Sequence, residues 1–335
     1  MFTFGKLDFV AIGDIVTDAF IELSEKDTWI ETDNPTKEKE LCMKFGDKLP
    51  FNDVVVVPAV GNSPNAGVSA HRLGLKTALI TNLGDDDFGK EQIKALKNEG
   101  INTKFVTVHK DMKSNYHYVL RYGPERTILV KHTEFPYSFP FIANAPKFLY
   151  LSSLAENSLE YHGQIAEYLK MNPSVKLAFQ PGTFQMKLGY DALKDLYAHT
   201  HIFFCNKEEA QKILKVTESD IKVLLSKLKD LGPTIPVITD GPNGAYALDS
   251  GKVFFVPMYP DLKDPIDRTG AGDSFSSTFT SALALGKTVE EALLWGPINS
   301  MSVVQYIGAQ EGLLSREKIE EYLKNAPAEY VVTEI

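Results

Sequence analysis

The sequence predicts an α/β fold: a three-layer αβα core with a mostly parallel sheet and a small β-sheet lid, all in a single domain, 1–335. Three observations point there. Short apolar runs rich in β-branched and aromatic residues recur, with stretches of helical period between most of them. Two regions, about 20–58 and 105–135, break that rhythm. The length of 335 residues, 44% of them hydrophobic, is enough to bury a large core.

Taken in order, FVAI (9–12) is apolar throughout, as a strand covered on both faces must be. TALIT (77–81), FVTV (105–108), FLYL (148–151), KLAF (176–179), HIFF (201–204) and VIT (237–239) repeat the pattern. NAGVSAHRLG (65–74), KEQIKALKNEG (90–100) and EEAQKILK (208–215) have helical period and lie between such runs. Alternation of this kind builds parallel sheets with helices on both faces. KVFFVPMYP (252–260) follows the turn residues Asp249, Ser250 and Gly251 and reads as the second arm of a hairpin on YALD. Residues 20–58 are charged, lack a helical period and end in VVVV (54–57). Residues 105–135 alternate apolar and polar around a Gly-Pro turn at 123–124, the pattern of a two-sided hairpin. Both regions read as strands of a lid, or else as long surface loops.

Composition narrows the function. A net charge of −9 with scattered Lys and Arg supplies no basic field for nucleic acid or an anionic membrane. A phosphate ligand would therefore be held by backbone amides, a metal ion or a few placed cations. Cys42 and Cys205 make neither a disulfide framework nor a metal-ligand spacing, which fits a reducing compartment. Asp8, Asp14 and Asp18 interrupt the N-terminal region, which reads as neither signal peptide nor anchor, so a cytoplasmic location is expected.

Motifs narrow it further. GDDDFGKE (84–91) has P-loop spacing, but Glu91 stands where Ser or Thr should ligate magnesium and three aspartates fill the loop. It reads as a turn into a helix. No GxGxxG follows the first strand, and HExxH, CxxC and GxSxG are missing. Thr269–Asp273, TGAGD, precedes FSSTFTSALAL, where Phe275, Phe279, Ala282 and Leu283 share a helical face and Gly286 offers a C-cap. Small residues at a helix start let an anion approach unpaired N–H groups. The other reading is that Asp273 only stabilises the first turn.

DRTGAGDSF (267–275) resembles the C-terminal signature of the ribokinase, or PfkB-type carbohydrate kinase, family. GDIVTD (13–18), GNSPNAGVSAHRLG (61–74), GDDDFG (84–89), NKEE (206–209), TDGPNGA (239–245), Asn299 and YIGAQ (306–310) match in the family's order. The resemblance implies an ATP-dependent kinase that phosphorylates a hydroxyl of a small sugar or sugar derivative, or alternatively of a nucleoside. It implies Asp273 as general base, with the amides of Gly270, Ala271 and Gly272 as anion hole. It places substrate on Asp18, Gly61 and Asn65, and ATP on Asn206, Thr239, Gly241, Gly244 and Asn299. Glu209 would organise Mg²⁺ through water, and Asp267 a monovalent cation such as K⁺. Arg126, Tyr116 and Tyr118 of the lid would discriminate substrates, and an exposed lid edge could pair two copies into a homodimer. Val60, Arg268, Thr278 and Gln180 depart from the family pattern and bear on substrate identity more than on reaction type.

Overall fold

The computed structural model describes residues 6–33, 39–123 and 125–335. Pro124 of the expected Gly-Pro turn, and 34–38 within the first lid region, lie outside the described residues. The N-terminal half contains β1 (Phe9–Ile12), β2 (Val16–Leu23), β3 (Thr28–Glu31), β4 (Glu40–Met43), β5 (Phe51–Val60), α1 (Asn62–Arg72), β6 (Thr77–Gly84), α2 (Asp87–Asn98), β7 (Val106–His109), β8 (Asn115–Tyr122), β9 (Glu125–Leu129) and β10 (Phe148–Leu151). The rest runs α3 (Leu159–Met171), β11 (Lys176–Phe179), α4 (Thr183–Ala198), β12 (Thr200–Asn206), α5 (Lys207–Leu214), α6 (Ile221–Asp230), β13 (Ile235–Thr239), β14 (Ala245–Asp249), β15 (Lys252–Val256), α7 (Ala271–Ala284), α8 (Val289–Val303), α9 (Arg316–Lys324) and β16 (Thr333–Glu334).

Ten strands form one sheet in the order β16-β15-β14-β13-β12-β11-β10-β1-β6-β7. From β7 to β13 every pairing is parallel, and β14, β15 and β16 extend it antiparallel. Strand periodicity divides the core. Phe9 and Ala11 point into one buried cluster with the α7 and α8 side chains Phe279 and Trp295. Val10 and Ile12 point into the other, with Ile165, Leu196 and Leu225 of α3, α4 and α6. Covered on both faces, β1 is wholly buried, which is why its sequence is a continuous apolar run. The chain leaves β1 toward β6 on one side and returns through β10 on the other, so strand order reverses at β1. Loops beyond the carboxyl ends of strands at such a reversal form a ligand crevice.

A second sheet has the order β5-β2-β8-β9. β2 pairs antiparallel with β5 and parallel with β8, and β8 turns back on β9 at Gly123, whose φ is +57°. The core-strand reading of 105–108 holds, and one lid expectation needs correction. β7 pairs parallel with β6 at the edge of the large sheet, so the second sheet's share of 105–135 begins at Asn115. Among the described residues, β3 and β4 pair only with each other, in a separate two-stranded sheet. No helix among the described residues is long and apolar enough to cross a membrane.

Candidate active site

The start of α7 is shaped by two glycines with different reasons for being there. Gly270 has φ +82°, and a Cβ on it would lie 2.3 Å from Ala309 Cβ, so packing and backbone alike demand glycine. Gly272 has no such constraint: a Cβ there would meet only Gln180 Nε2, at 3.8 Å. No side chain caps the helix, which leaves its first-turn amides open. Behind them α7 is buried despite its Ser/Thr content, because the hydroxyls of Ser276, Ser277 and Thr280 bond back to carbonyls three or four residues earlier. A cavity of about 300 Å³ lies against this helix end, bounded by Thr239, Gly241, Gly244, Arg268, Gly272 and Ser300 among others. Its remaining walls, including Met258, Phe275, Pro297 and Met301, are mostly apolar, which suits a flat heterocycle beside a polar tail.

Asp273 is buried at 8% exposure and is held by three side-chain amides. Asn62 Nδ2 donates to Oδ1 at 2.6 Å, Gln180 Nε2 to Oδ1 at 3.2 Å, and Asn65 Nδ2 to Oδ2 at 2.9 Å. The amides are themselves fixed: Tyr150 OH donates to Gln180 Oε1, and Gln310 Nε2 donates to Asn65 Oδ1 at 2.9 Å. Asn65, expected to touch substrate, therefore spends both ends of its amide inside the protein. Asn62 and Gln180 were not expected in this role.

On the other side of Asn62, Gly61 has φ +115°, and a Cβ there would come within 2.8 Å of Asp14 O. This close approach brings the start of α1 to the loop after β1. Asp14 Oδ1 accepts from Tyr137 OH at 2.7 Å, and its Oδ2 lies 3.5 Å from His132 Nδ1. Asp18, in β2, has its Oδ1 3.4 Å from His117 Nδ1 of β8. Asp14 Oδ2, Asp18 Oδ1, His117 Nε2 and His132 Nδ1 are buried with no hydrogen-bond partner in the protein. The two imidazole rings meet at a centroid distance of 5.2 Å, so these atoms form one cluster of buried polar groups that call for an explanation. Among the described residues, no group of three or more His, Cys, Asp or Glu is arranged to hold a metal ion.

The model of the pfkB family carbohydrate kinases matches residues 40–316. The chain belongs to this family. Ribokinase of Bacillus subtilis is 25% identical over 288 residues, covering 84% of this chain and 92% of that one. The nucleoside kinase of Methanocaldococcus jannaschii is 24% identical over 271 residues, covering 79% and 85%. Among solved structures, Arabidopsis thaliana ribokinase complexed with ribose and ATP has a TM-score of 0.78 at 20% identity, covering 95% of this chain and 99% of that one. A structure from E. coli in complex with ATP and Mg²⁺ covers 95% and 99% with a TM-score of 0.72 at 18% identity. The chain is thus a phosphotransferase of the carbohydrate kinase class.

Against this family frame the other expected residues divide. Thr239, Gly241 and Gly244 line the cavity. Asn299 does not: it is fully buried, donates to Thr278 Oγ1 at 2.7 Å and accepts from Leu314 N at 2.9 Å. Its neighbour Ser300 reaches the cavity instead, with its hydroxyl on Ala271 O at 2.8 Å. Asn206 and Glu209 form a reciprocal capping box on α5, each side chain accepting from the other's N–H at 2.8 Å. Burial pushes the Glu209 carboxyl above its ordinary value; the backbone bond from Asn206 and the charge of Lys212 oppose the rise, while Glu208 and Asp273 add to it. Asp267, the expected cation ligand, accepts at Oδ1 from the amide and hydroxyl of Thr269 and at Oδ2 from Gly308 N, which leaves Oδ2 one lone pair.

In the second sheet, Asp18 pairs with His117 across β2 and β8, whereas Tyr116 and Tyr118 pair with Thr17 and Ala19 and so face the other way. Tyr116 packs on Phe88 of α2, and Tyr118 is half exposed. Arg126 pairs with Arg121, on the face of Asp18 but four residues beyond His117, or about 13 Å along the strand.

Proposed function

We propose that the chain transfers the γ-phosphoryl group of ATP to a hydroxyl of a small sugar or sugar derivative, with Asp273 as general base. The observation that carries this reading is the position of Asp273 between two spaces. It stands in the first turn of α7, whose Ala271 and Gly272 line the cavity, and it accepts from Asn62, the neighbour of Gly61, which closes on Asp14 O. Bound ATP with Mg²⁺ supplies the electrophilic phosphoryl group.

The chain's own residues do the rest. Asp273 accepts the acceptor's hydroxyl proton, held in one orientation by Asn62, Asn65 and Gln180. The amides of Gly270, Ala271 and Gly272, at the positive end of the α7 dipole, face the charge that develops on the transferred oxygens. Asp18 accepts from acceptor hydroxyls. The second sheet acts as the lid and excludes water. Glu209, whose burial disfavours its charge, gains from a nearby hydrated Mg²⁺. A monovalent cation near Asp267 would take the remaining lone pair of Oδ2 together with main-chain carbonyls. The outer face of the lid, where Val54, Val56, Tyr118 and Leu129 are exposed, is the surface through which two copies would pair.

A nucleoside acceptor would use the same base and amides and is the competing reading. The test is ADP release from ATP with sugars and with nucleosides, followed by Asp18→Ala on the best acceptor. That variant should lower kcat/KM by roughly 2–4 kcal/mol through lost charged hydrogen bonds, with ATP affinity unchanged. Equal loss of ATP affinity, or no loss of kcat/KM, would move the acceptor site elsewhere.

A further inference from the structure

Two histidines in the acceptor pocket have no part in the chemistry assigned above. His117 is set beside Asp18 by the parallel register of β2 and β8. His132, in the segment after β9, is set beside Asp14. The rings meet edge to face, centroids 5.2 Å apart at 71°, and Phe184 at the start of α4 meets His132 the same way, at 5.8 Å and 81°. Both imidazoles are enclosed, at 13% and 17% exposure, and so are the carboxylates, at 11% and 4%. Yet neither contact is aligned as a hydrogen bond, and one nitrogen or oxygen of each group is left without a partner.

We propose that these two imidazole–carboxylate pairs are the specificity element of the acceptor pocket. They select an uncharged polyhydroxy acceptor, a free sugar or cyclic polyol, over sugar acids, sugar phosphates and nucleosides. The inference rests on the kinase reading and names its substrate class. Each pair presents a carboxylate oxygen that only accepts and an imidazole nitrogen that accepts or donates according to tautomer. A hydroxyl also donates and accepts, so neighbouring hydroxyls satisfy both members of a pair at once. An acidic substituent brings acceptors and negative charge against the carboxylates of Asp14 and Asp18. The arginines of the sheet, Arg121 and Arg126, stand four residues beyond the row of His117. A nucleobase needs an open ring face on which to stack. Here each ring meets the next edge to face, and Tyr137 stacks on Tyr161 at 5.3 Å and 21°.

The test is steady-state kinetics on the full chain at saturating ATP and Mg²⁺. The acceptors are pentoses, hexoses, cyclic polyols, sugar acids, sugar phosphates and nucleosides. A neutral polyol should exceed every acid, phosphate and nucleoside by about 100-fold or more in kcat/KM. His117→Leu and His132→Leu should each raise the acceptor KM roughly 10- to 100-fold. The KM for ATP should stay within about threefold and kcat within about fivefold, because uniform binding is what is lost. His117→Asn and His132→Asn should recover part of the affinity, and they carry the test if a leucine variant fails to fold. Preference for a sugar acid or sugar phosphate overturns this inference alone, as does an unchanged acceptor KM in both histidine variants; preference for a nucleoside overturns the inference and the sugar acceptor together, and leaves phosphoryl transfer standing. Absence of transfer to every acceptor overturns the kinase reading and the inference with it.

Discussion

Replacing Gly272 with alanine separates fold from function at the start of α7. The residue lacks a positive φ, and the new methyl would find nothing closer than Gln180 Nε2 at 3.8 Å, so no strain is expected. Alanine in a helix is favoured over glycine by about 0.5–1 kcal/mol, and near a terminus the gain is at the lower end. The fold should therefore be unchanged or slightly more stable. The same methyl stands beside an amide that lines the cavity, where a phosphoryl oxygen must make contact. Displacing a reacting group by about 1 Å costs on the order of 100-fold in rate, or roughly 2.7 kcal/mol in the barrier. The prediction is a urea midpoint at or above that of the wild type, together with a kcat for ADP release lowered about 100-fold. Gly272→Val should lose more turnover. A stable Gly272→Ala variant with kcat within twofold of wild type would show that no anion approaches this amide.

Gly270→Ala should behave oppositely. Its φ of +82° and the overlap with Ala309 predict a loss of about 2–5 kcal/mol in stability, read from the urea midpoint, and a small shift would refute the packing argument. A pH prediction comes from His162, whose Nδ1 contacts Ser158 O and whose Nε2 faces the amide of Gln185. Burial pushes it down from 6.5 to about 4, partly opposed by the Ser158 bond. The unfolded chain thus takes up the proton first, so stability is full above pH 6.5 and is lost as pH falls toward 4. At pH 5 the loss is about 2 kcal/mol relative to pH 7.5. His162→Gln should lack that component, while His201, also pushed down to about 4, titrates in both proteins and cancels. Equal pH dependence in the two proteins would contradict the assignment.

The fold was legible because each buried strand had to be apolar on both faces, and the helix between two such strands had to carry its own period. The same logic left β7 with two readings, core strand and lid strand. Its alternation of Val106 and Val108 with polar neighbours looked like a lid strand, but an edge strand of the large sheet is also half exposed. Among the residues singled out from the sequence, Gly61 precedes α1 and Asp273 opens α7, whereas Asp18 lies within β2. The facing of Tyr116 and Tyr118 was not readable, since a one-residue change of register decides which face of a strand a side chain takes. Asn62, Gln180 and Ser300 act through partners far away in sequence, as Asn62 does across 211 residues to Asp273, and no local pattern announces such a contact. Asn206, Asn299 and Asp267 show the converse. Each has the residue type a ligand site needs, and each also holds a helix or a loop: Asn206 Oδ1 caps α5, Asn299 bonds Thr278, and Asp267 accepts from Gly308.

The most direct test of the central claim is turnover by Asp273→Asn with the best acceptor and ATP. The substitution keeps the side chain's size but turns an amide donor toward one of the donors now facing Asp273, at a cost of about 1–2 kcal/mol in stability. The variant should fold, bind ATP as wild type does, and lose on the order of 10²–10⁴-fold in kcat. Near-wild-type turnover in the folded variant would mean that Asp273 is only a helix-end charge and that another group takes the proton.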